Sequence, residues 1–119
     1  MRLSAHFVSE EFGCPGAHQR WHQAHPTVVD GHLIEHLEEL RLLVGRPLIV
    51  VSGHRCLAWE RYRGRSGLSQ HVHGRAADLV SGYATVAQAE QAGFTGIGNA
   101  GLWAAHVDVG PGGRRRWSY

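Results

Sequence analysis

The sequence predicts an α+β fold, because one long amphipathic helix and several short strand patterns share its 119 residues. The helix is predicted from Asp30, a suitable N-cap, to Gly45, with leucines and an isoleucine at helical spacing between them. Hydrophobic residues make up 43% of the chain, which suits one compact core. We therefore expect a single domain spanning residues 1–119.

Short β-branched or alternating runs predict the strands. The run at 48–52 follows a helix stop and is typical of a buried strand, and 76–81 alternates so that Asp78 faces away from the core. A capping-box pattern predicts a short helix over 85–92. Residues 94–110 predict two strands joined by a Gly/Asn turn.

Three segments lack either period. Residues 1–29 predict an irregular arm with one helical turn around 9–11, anchored by Phe7, Val8 and Phe12. Residues 53–68 predict a long surface loop, the kind of segment that often carries binding residues. The tail GRRRWSY predicts a solvated, charged face. The loop arginines expected in solvent are Arg61, Arg63 and Arg65.

Charge and hydropathy exclude several classes of protein. Twelve basic against ten acidic residues give a formal charge of +2, and no base-reading motif is present, so we expect no nucleic-acid partner. No apolar run approaches the roughly 18 residues that span a bilayer. The N-terminus MRLSAHFVSE lacks the apolar stretch of a secretion signal, so we expect a protein made in soluble form. We also expect a monomer.

Cysteine and histidine usage leaves alternatives open. Cys14 and Cys56 could form one disulfide, although two reduced thiols are the favoured interpretation. Histidine is unusually frequent, with ten residues. Three of them have helix-like spacing: His18, His22 and His25. They could hold a second metal ion, but Pro26 and the polar surroundings favour an exposed arm.

The most informative run is SQHVHGRAAD, which offers His71 and Asp78 around a glycine, with His106 as a distant third ligand. Two imidazoles, one carboxylate and an open fourth position are typical of hydrolytic zinc sites. On spacing alone, three ordinary polar residues remain an equally good interpretation. If the last segment is a regular strand, Ala104, His106 and Asp108 share one face, and Ala105, Val107 and Val109 share the core face.

The same residues carry a family resemblance. Ser69, His71, Gly74, Ala76 and Asp78 match the pattern SxHxxGxAxD in full. The stretches LSAHFVSEEFGC, ELRLLVGRPLIVVSG with its SGHR, and HVDVGPGGRRRW match further segments. With these motifs the chain resembles the zinc D-Ala-D-Ala carboxypeptidase and endolysin peptidase family, in the group that includes lysostaphin-type enzymes and hedgehog domains.

The resemblance implies a fold and a set of roles. The fold is a small antiparallel sheet with helices packed on one side. His71, Asp78 and His106 would bind one Zn²⁺ ion per chain. The substrate would be a peptidoglycan stem peptide, cleaved at the cell wall or in the periplasm by a phage, prophage or bacterial enzyme. Arg55 would grip a carboxylate or carbonyl of the substrate, as a guanidinium fork can, and Ser69 would orient it.

One departure concerns proton transfer. Many members of the family place an acidic residue three positions before the last zinc histidine, where this chain has Trp103. Trp103 is then either a cleft wall that packs against the substrate or a core residue. Asp108 and His73 are the candidates for the catalytic base, and Asp108 could instead orient a ligand histidine.

Two functions of different classes follow. The first is a zinc peptidase that cleaves D-Ala-D-Ala or a cross-link in peptidoglycan. The second is a zinc-containing module that binds or structures peptidoglycan without cleaving it, which Trp103 at the acidic position favours.

Overall fold

The computed structural model describes residues 1–119 and contains three α-helices and one five-stranded sheet. The helices are α1 (Gly31–Val44), α2 (Leu57–Tyr62) and α3 (Val86–Gln91). The strands are β1 (Val50–Ser52), β2 (Ala76–Leu79), β3 (Gly96–Ala100), β4 (Trp103–Asp108) and β5 (Arg115–Ser118). Turns of 3₁₀ helix cover Ser9–Phe12, Pro15–His18 and Gln70–His73. The α+β class is confirmed.

The two helices predicted from capping patterns are both present. Helix α1 begins where the Asp30 carboxylate accepts a hydrogen bond from the amide of His32 at 2.8 Å. It ends at Gly45, whose φ of 77° lies in the left-handed region that favours a residue without a Cβ. Helix α3 begins with the capping box of Thr85 and Gln88. Local hydrogen bonds thus set three of these helix ends.

The sheet has the strand order β1-β2-β4-β3-β5 and is antiparallel except for the β3–β5 pair. Its core-facing residues, among them Ala77, Leu79 and Ile97, pack with Leu33 and Leu37 of α1 in one hydrophobic cluster. Strands β3 and β4 form the predicted hairpin. In the β2–β4 ladder, Asp78 lies directly opposite His106, which brings two distant segments of the chain together.

The predicted facing of β4 is wrong at Ala104. The register shifts because Gly98 pairs with His106 while Asn99 pairs with Ala104, so Ala105 is an extra residue, a β-bulge. The bulge puts Ala104 in the hydrophobic core, whereas the sequence predicts it on the face of His106. Strict alternation could not anticipate this interruption.

Two segments expected to be irregular contain regular structure. The 53–68 loop includes α2, and the charged tail forms β5, which pairs in parallel with β3 from Gly96↔Arg115 to Asn99↔Ser118. Arg65 is also not simply solvated, because it pairs with the fully buried Glu60 at 2.9 Å. In the tail, pairing with β3 overrides a sequence pattern dominated by charge.

The N-terminal arm is anchored as expected by Phe7 and Phe12, which are both buried, and the predicted helical turn is the 3₁₀ turn Ser9–Phe12. The carbonyl of Phe12 accepts the amide of His54 at 2.9 Å. Gly53 allows this approach, since a Cβ there would lie 2.7 Å from Phe12 atoms. No helix has both the length and the apolar character needed to cross a membrane.

Replacing Leu37, which is 0% exposed, with Ala should lower the free energy of unfolding by about 2–5 kcal/mol through the cavity it leaves. Leu42→Ala is the matched control on the same helix, because Leu42 is 69% exposed and its loss should change stability by less than about 0.5 kcal/mol. Urea unfolding measures both. Equal effects of the two substitutions would contradict the burial of the inner face of α1.

Candidate metal centre

His71, Asp78 and His106 come together in the structure, each offering one ligand atom, with all three atoms within 4.8 Å of one another. Asp78 Oδ1 lies 3.2 Å from His71 Nε2 and 3.0 Å from His106 Nδ1. Both imidazoles are buried, while the Asp78 side chain is 27% exposed. The cluster therefore opens to solvent on the Asp78 side.

The signature run builds the first half of the centre through local structure. The Ser69 hydroxyl accepts the amide of His71 at 3.2 Å and so begins the 3₁₀ turn that carries this histidine. Gly74 ends that turn with a φ of 69°, and a Cβ there would lie 2.3 Å from the carbonyl oxygen of Val28. Only glycine fits such a position. The chain then enters β2, where Asp78 is held by strand pairing.

The orientation of each imidazole is fixed by its second nitrogen. Nδ1 of His71 lies 2.6 Å from the carbonyl oxygen of Gly53, which can only accept, so Nδ1 carries the proton and Nε2 keeps its lone pair. Nε2 of His106 lies 2.7 Å from the Asp108 carboxylate, which likewise leaves Nδ1 free. Such outer partners are typical of metal-binding histidines.

Two imidazole lone pairs and a carboxylate oxygen therefore converge on one point. Three acceptors repel one another unless a proton or a cation lies between them. Tetrahedral zinc, with bonds of about 2.0–2.2 Å to nitrogen and oxygen, separates such ligands by roughly 3.3–3.5 Å, close to the distances found here. The donor set and its spacing fit a zinc ion with an open fourth position.

The same contacts shift the pKa values of the cluster. Burial alone would raise the pKa of Asp78, but hydrogen bonds with His106 and His71 hold it well below its usual range. Burial opposes the charged form of His106, yet Asp108 and Asp78 outweigh it and raise the pKa of this imidazole. Without a metal ion, a proton on His106 relieves the repulsion between the acceptors.

Asp108 lies behind His106 rather than beside Asp78. It is 1% exposed, and it accepts hydrogen bonds from the amide of Gly110 at 3.0 Å and from the Arg115 guanidinium at 2.5 Å. Burial opposes ionisation, but His106 and Arg115 lower the pKa of Asp108 to about 2. A Cβ at Gly96 would lie 2.1 Å from Asp108 Oδ2, so this glycine makes room for the carboxylate. These contacts favour orientation of His106 over proton transfer.

Arg55 lies at the open side of the cluster. Its Nη1 is 3.4 Å from Asp78 Oδ2, and its Nε is 3.5 Å from Glu60 Oε1. The backbone amide of Arg55 also donates to the carbonyl of His71 at 3.1 Å. The guanidinium is thus held by two carboxylates, one of which belongs to the predicted metal ligand Asp78.

The remaining predicted residues have different surroundings. His73 is exposed at the end of the 3₁₀ turn and makes no hydrogen bond through its ring. Trp103 is half-buried at the start of β4, opposite Ala100 and bridged to Thr85. The indole that packs on His106 is Trp117, with ring centroids 4.8 Å apart. The substrate roles of Ser69 and Trp103 therefore stay predictions.

Sequence reasoning missed four supporting residues: Glu60, Gly96, Arg115 and Trp117. Glu60 holds Arg55, Gly96 accommodates Asp108, and the other two come from β5. The segment HVDVGPGGRRRW, which carries part of the family resemblance, contains Arg115 and Trp117, and it is the signal that could have assigned these two residues to the site. The tail therefore packs against the centre, with Trp117 on the His106 ring and Arg115 on Asp108.

A family model for peptidase M15 matches residues 5–108, which include all three predicted ligands. The chain belongs to the peptidase M15 family. This family is zinc-dependent, so the match and the ligand cluster together support a zinc metallopeptidase. No curated protein matches the chain.

A second cluster of metal-binding side chains lies outside this centre. It contains Cys14, His22, His25 and Cys56, and it leaves out His18 of the predicted histidine group. Both cysteines are free, as the favoured interpretation predicted, with their sulfur atoms 3.5 Å apart. The arm is therefore more organised at this point than its composition indicated.

Asp108→Asn should weaken zinc binding about 10–100-fold, because Asn cannot hold the His106 ring with a full negative charge. Glu90→Gln is the control, since Glu90 lies at the surface and pairs with Arg114, just before β5, and with Arg116 in β5. Competition with a calibrated chelator measures both affinities in protein that also carries Cys56→Ser, so that any zinc bound by the second cluster does not add to the signal. Unchanged zinc affinity in Asp108→Asn would contradict the orienting role.

Proposed function

We propose that this protein is a zinc-dependent peptidoglycan peptide hydrolase, which cleaves a D-Ala-D-Ala bond or a bond in a stem peptide or cross-link. Such an enzyme would act at the cell wall or in the periplasm, for instance during phage or prophage lysis. The observation that carries the proposal is the convergence of three ligand lone pairs at an open, solvent-facing position within a peptidase M15 chain.

His71, Asp78 and His106 would hold the zinc ion. When bound, zinc acts as a Lewis acid that polarises a scissile carbonyl and makes water a competent nucleophile near neutral pH. The protein contributes rigid placement: Gly53 and Asp108 fix the two imidazole rings, and the β2–β4 ladder fixes Asp78 against His106. Preorganised ligands of this kind keep the fourth position open for substrate.

A group other than the family's usual acidic residue would transfer the proton, because Trp103 occupies that residue's position three residues before His106. Asp108 lies on the far side of the His106 ring, where it accepts hydrogen bonds from His106, Gly110 and Arg115. We therefore assign it to orientation of that ring. His73 is exposed, two residues after His71, and has no competing partner. We therefore place the proton-transfer role on His73.

Arg55 would bind the carboxylate of the peptide. The Arg55 side chain is only 17% exposed and its guanidinium already lies beside Asp78, so a carboxylate that docks there exchanges water for a charge-assisted hydrogen bond. Glu60 holds the guanidinium from behind at 3.5 Å. A free carboxylate at this point favours cleavage near a peptide C-terminus.

A second function remains open, that of a zinc-containing module that binds peptidoglycan without cleaving it. The absence of an acidic residue at Trp103 favours it. The two functions share one ligand set and differ in turnover alone.

His71→Ala should abolish zinc binding at this centre and peptide hydrolysis together, because it removes a buried ligand. The assay follows release of amino acids or new amines from purified sacculi, with metal content measured on the same samples. His32→Ala is the control, since His32 is exposed on α1. Hydrolysis retained by His71→Ala would refute the ligand assignment. Zinc-loaded wild type that binds sacculi and releases nothing would favour the module.

Arg55→Gln should raise KM for a stem peptide by about 10-fold or more at equal zinc occupancy, since a charged hydrogen bond to substrate contributes roughly 1.5–3 kcal/mol. Arg61→Gln is the control, an exposed arginine on the nearby α2. Amidation of the peptide C-terminus should erase the difference between wild type and Arg55→Gln. An equal penalty with amidated peptide would show that Arg55 acts on the metal ligands instead.

A further inference from the structure

Four side chains of metal-binding type meet where the N-terminal arm reaches the start of α2. They are Cys14, His22, His25 and Cys56, and their ligand atoms all lie within 4.8 Å of one another. None of them belongs to the proposed peptidase centre. Cys14 is buried and His25 is exposed, so the cluster has a closed side and a side that an ion can enter from solvent.

The separations within this cluster suit a tetrahedral ion. The two sulfur atoms are 3.5 Å apart, and Cys56 Sγ is 3.3 Å from His22 Nε2. A zinc ion bound at about 2.3 Å by sulfur and about 2.0 Å by nitrogen separates its ligand atoms by roughly 3.3–3.8 Å. Both measured distances agree with these values to within about 0.3 Å.

Surrounding hydrogen bonds orient the ligands. The amide of Cys56 donates to Cys14 Sγ, and the amide of Trp59 donates to Cys56 Sγ, each at 3.4 Å. These donors stabilise sulfur in its thiolate form. Nδ1 of His25 lies 2.9 Å from the carbonyl oxygen of Pro26, so Nδ1 carries the proton and Nε2 is free to bind a metal ion.

We propose that Cys14, His22, His25 and Cys56 bind a second, structural zinc ion. Two thiolates and two neutral imidazoles balance the charge of Zn²⁺ and complete a four-coordinate site, which leaves no position for substrate. Soft sulfur ligands also disfavour magnesium and calcium, which prefer oxygen. Binding would displace the thiol protons to solvent.

A disulfide is the competing state of the two cysteines. A sulfur–sulfur bond measures about 2.05 Å, and it would leave His22 and His25 without a role. The distance of 3.5 Å is a contact between two free thiols. The two histidines around this pair are the feature that a disulfide does not explain.

The site would tie the arm to the segment that carries Arg55, because Cys56 is the next residue. The arm already packs closely here: a Cβ at Gly16 would lie 2.8 Å from the Trp59 ring and 3.2 Å from His22. Zinc would close a loop between Cys14 and Cys56, which are 42 residues apart, and so restrict the unfolded chain.

The test is metal stoichiometry on full-length protein purified under reducing conditions. Wild type should carry two zinc ions per chain, His71→Ala one, and Cys56→Ser one. His18→Ala is the matched control, an exposed arm histidine outside the cluster, and it should keep two. None of these readouts depends on hydrolysis, so they separate this site from the proposed function.

Cobalt substitution gives a second readout that needs no cysteine variant to fold. Reduced His71→Ala loaded with Co²⁺ should show a thiolate-to-cobalt charge-transfer band in the near ultraviolet and the strong visible bands of tetrahedral cobalt. Absence of the charge-transfer band, or reduced His71→Ala free of zinc, would overturn the proposal. So would a Cys56→Ser variant with the same zinc content as wild type.

Discussion

The pairing of Asp78 with His106 across β2 and β4 is the constraint on which the proposed peptidase centre depends. These residues are 28 positions apart in sequence, and their side chains meet at 3.0 Å because the strand register puts them opposite each other. A shift of one residue in that register would turn every side chain of a strand to the other face. The hydrophobic residues next to them, Ala77 and Val107, are fully buried and so prevent the shift.

The buried charges of the centre are arranged in alternation, which limits the cost of removing them from water. Asp78 and Asp108 lie on opposite sides of the His106 ring, and Arg55 and Arg115 lie beyond the two carboxylates. An isolated buried carboxylate would be expensive, whereas each of these has a cationic or proton-donating neighbour. Arg115 comes from β5, so the last strand contributes to the electrostatics of the centre as well as to the sheet.

The parts of the fold that the sequence predicts correctly are those set by local contacts or by a motif. Capping patterns predict helices α1 and α3, and the signature run together with the later HVD segment predicts the three side chains that meet in the candidate metal centre. Helix α2 and β5 escape prediction because their charged residues are stabilised by partners outside the element itself, as Glu60 is by Arg65 and Arg115 is by Asp108. The bulge at Ala105 escapes because no propensity marks where a ladder gains a residue.

The hydrophobic core anchors the N-terminal arm only at its first part. Phe7 and Phe12 anchor its first part, but beyond Cys14 the chain up to residue 28 adds no buried apolar side chain, so little burial opposes its conformational entropy. Aromatic contacts such as Trp21 with Tyr62, at 5.1 Å between ring centroids, add a stabilising contribution. A cross-link between the arm and the start of α2 would add a further contribution by restricting the unfolded chain, and it would hold in place the backbone that carries Arg55.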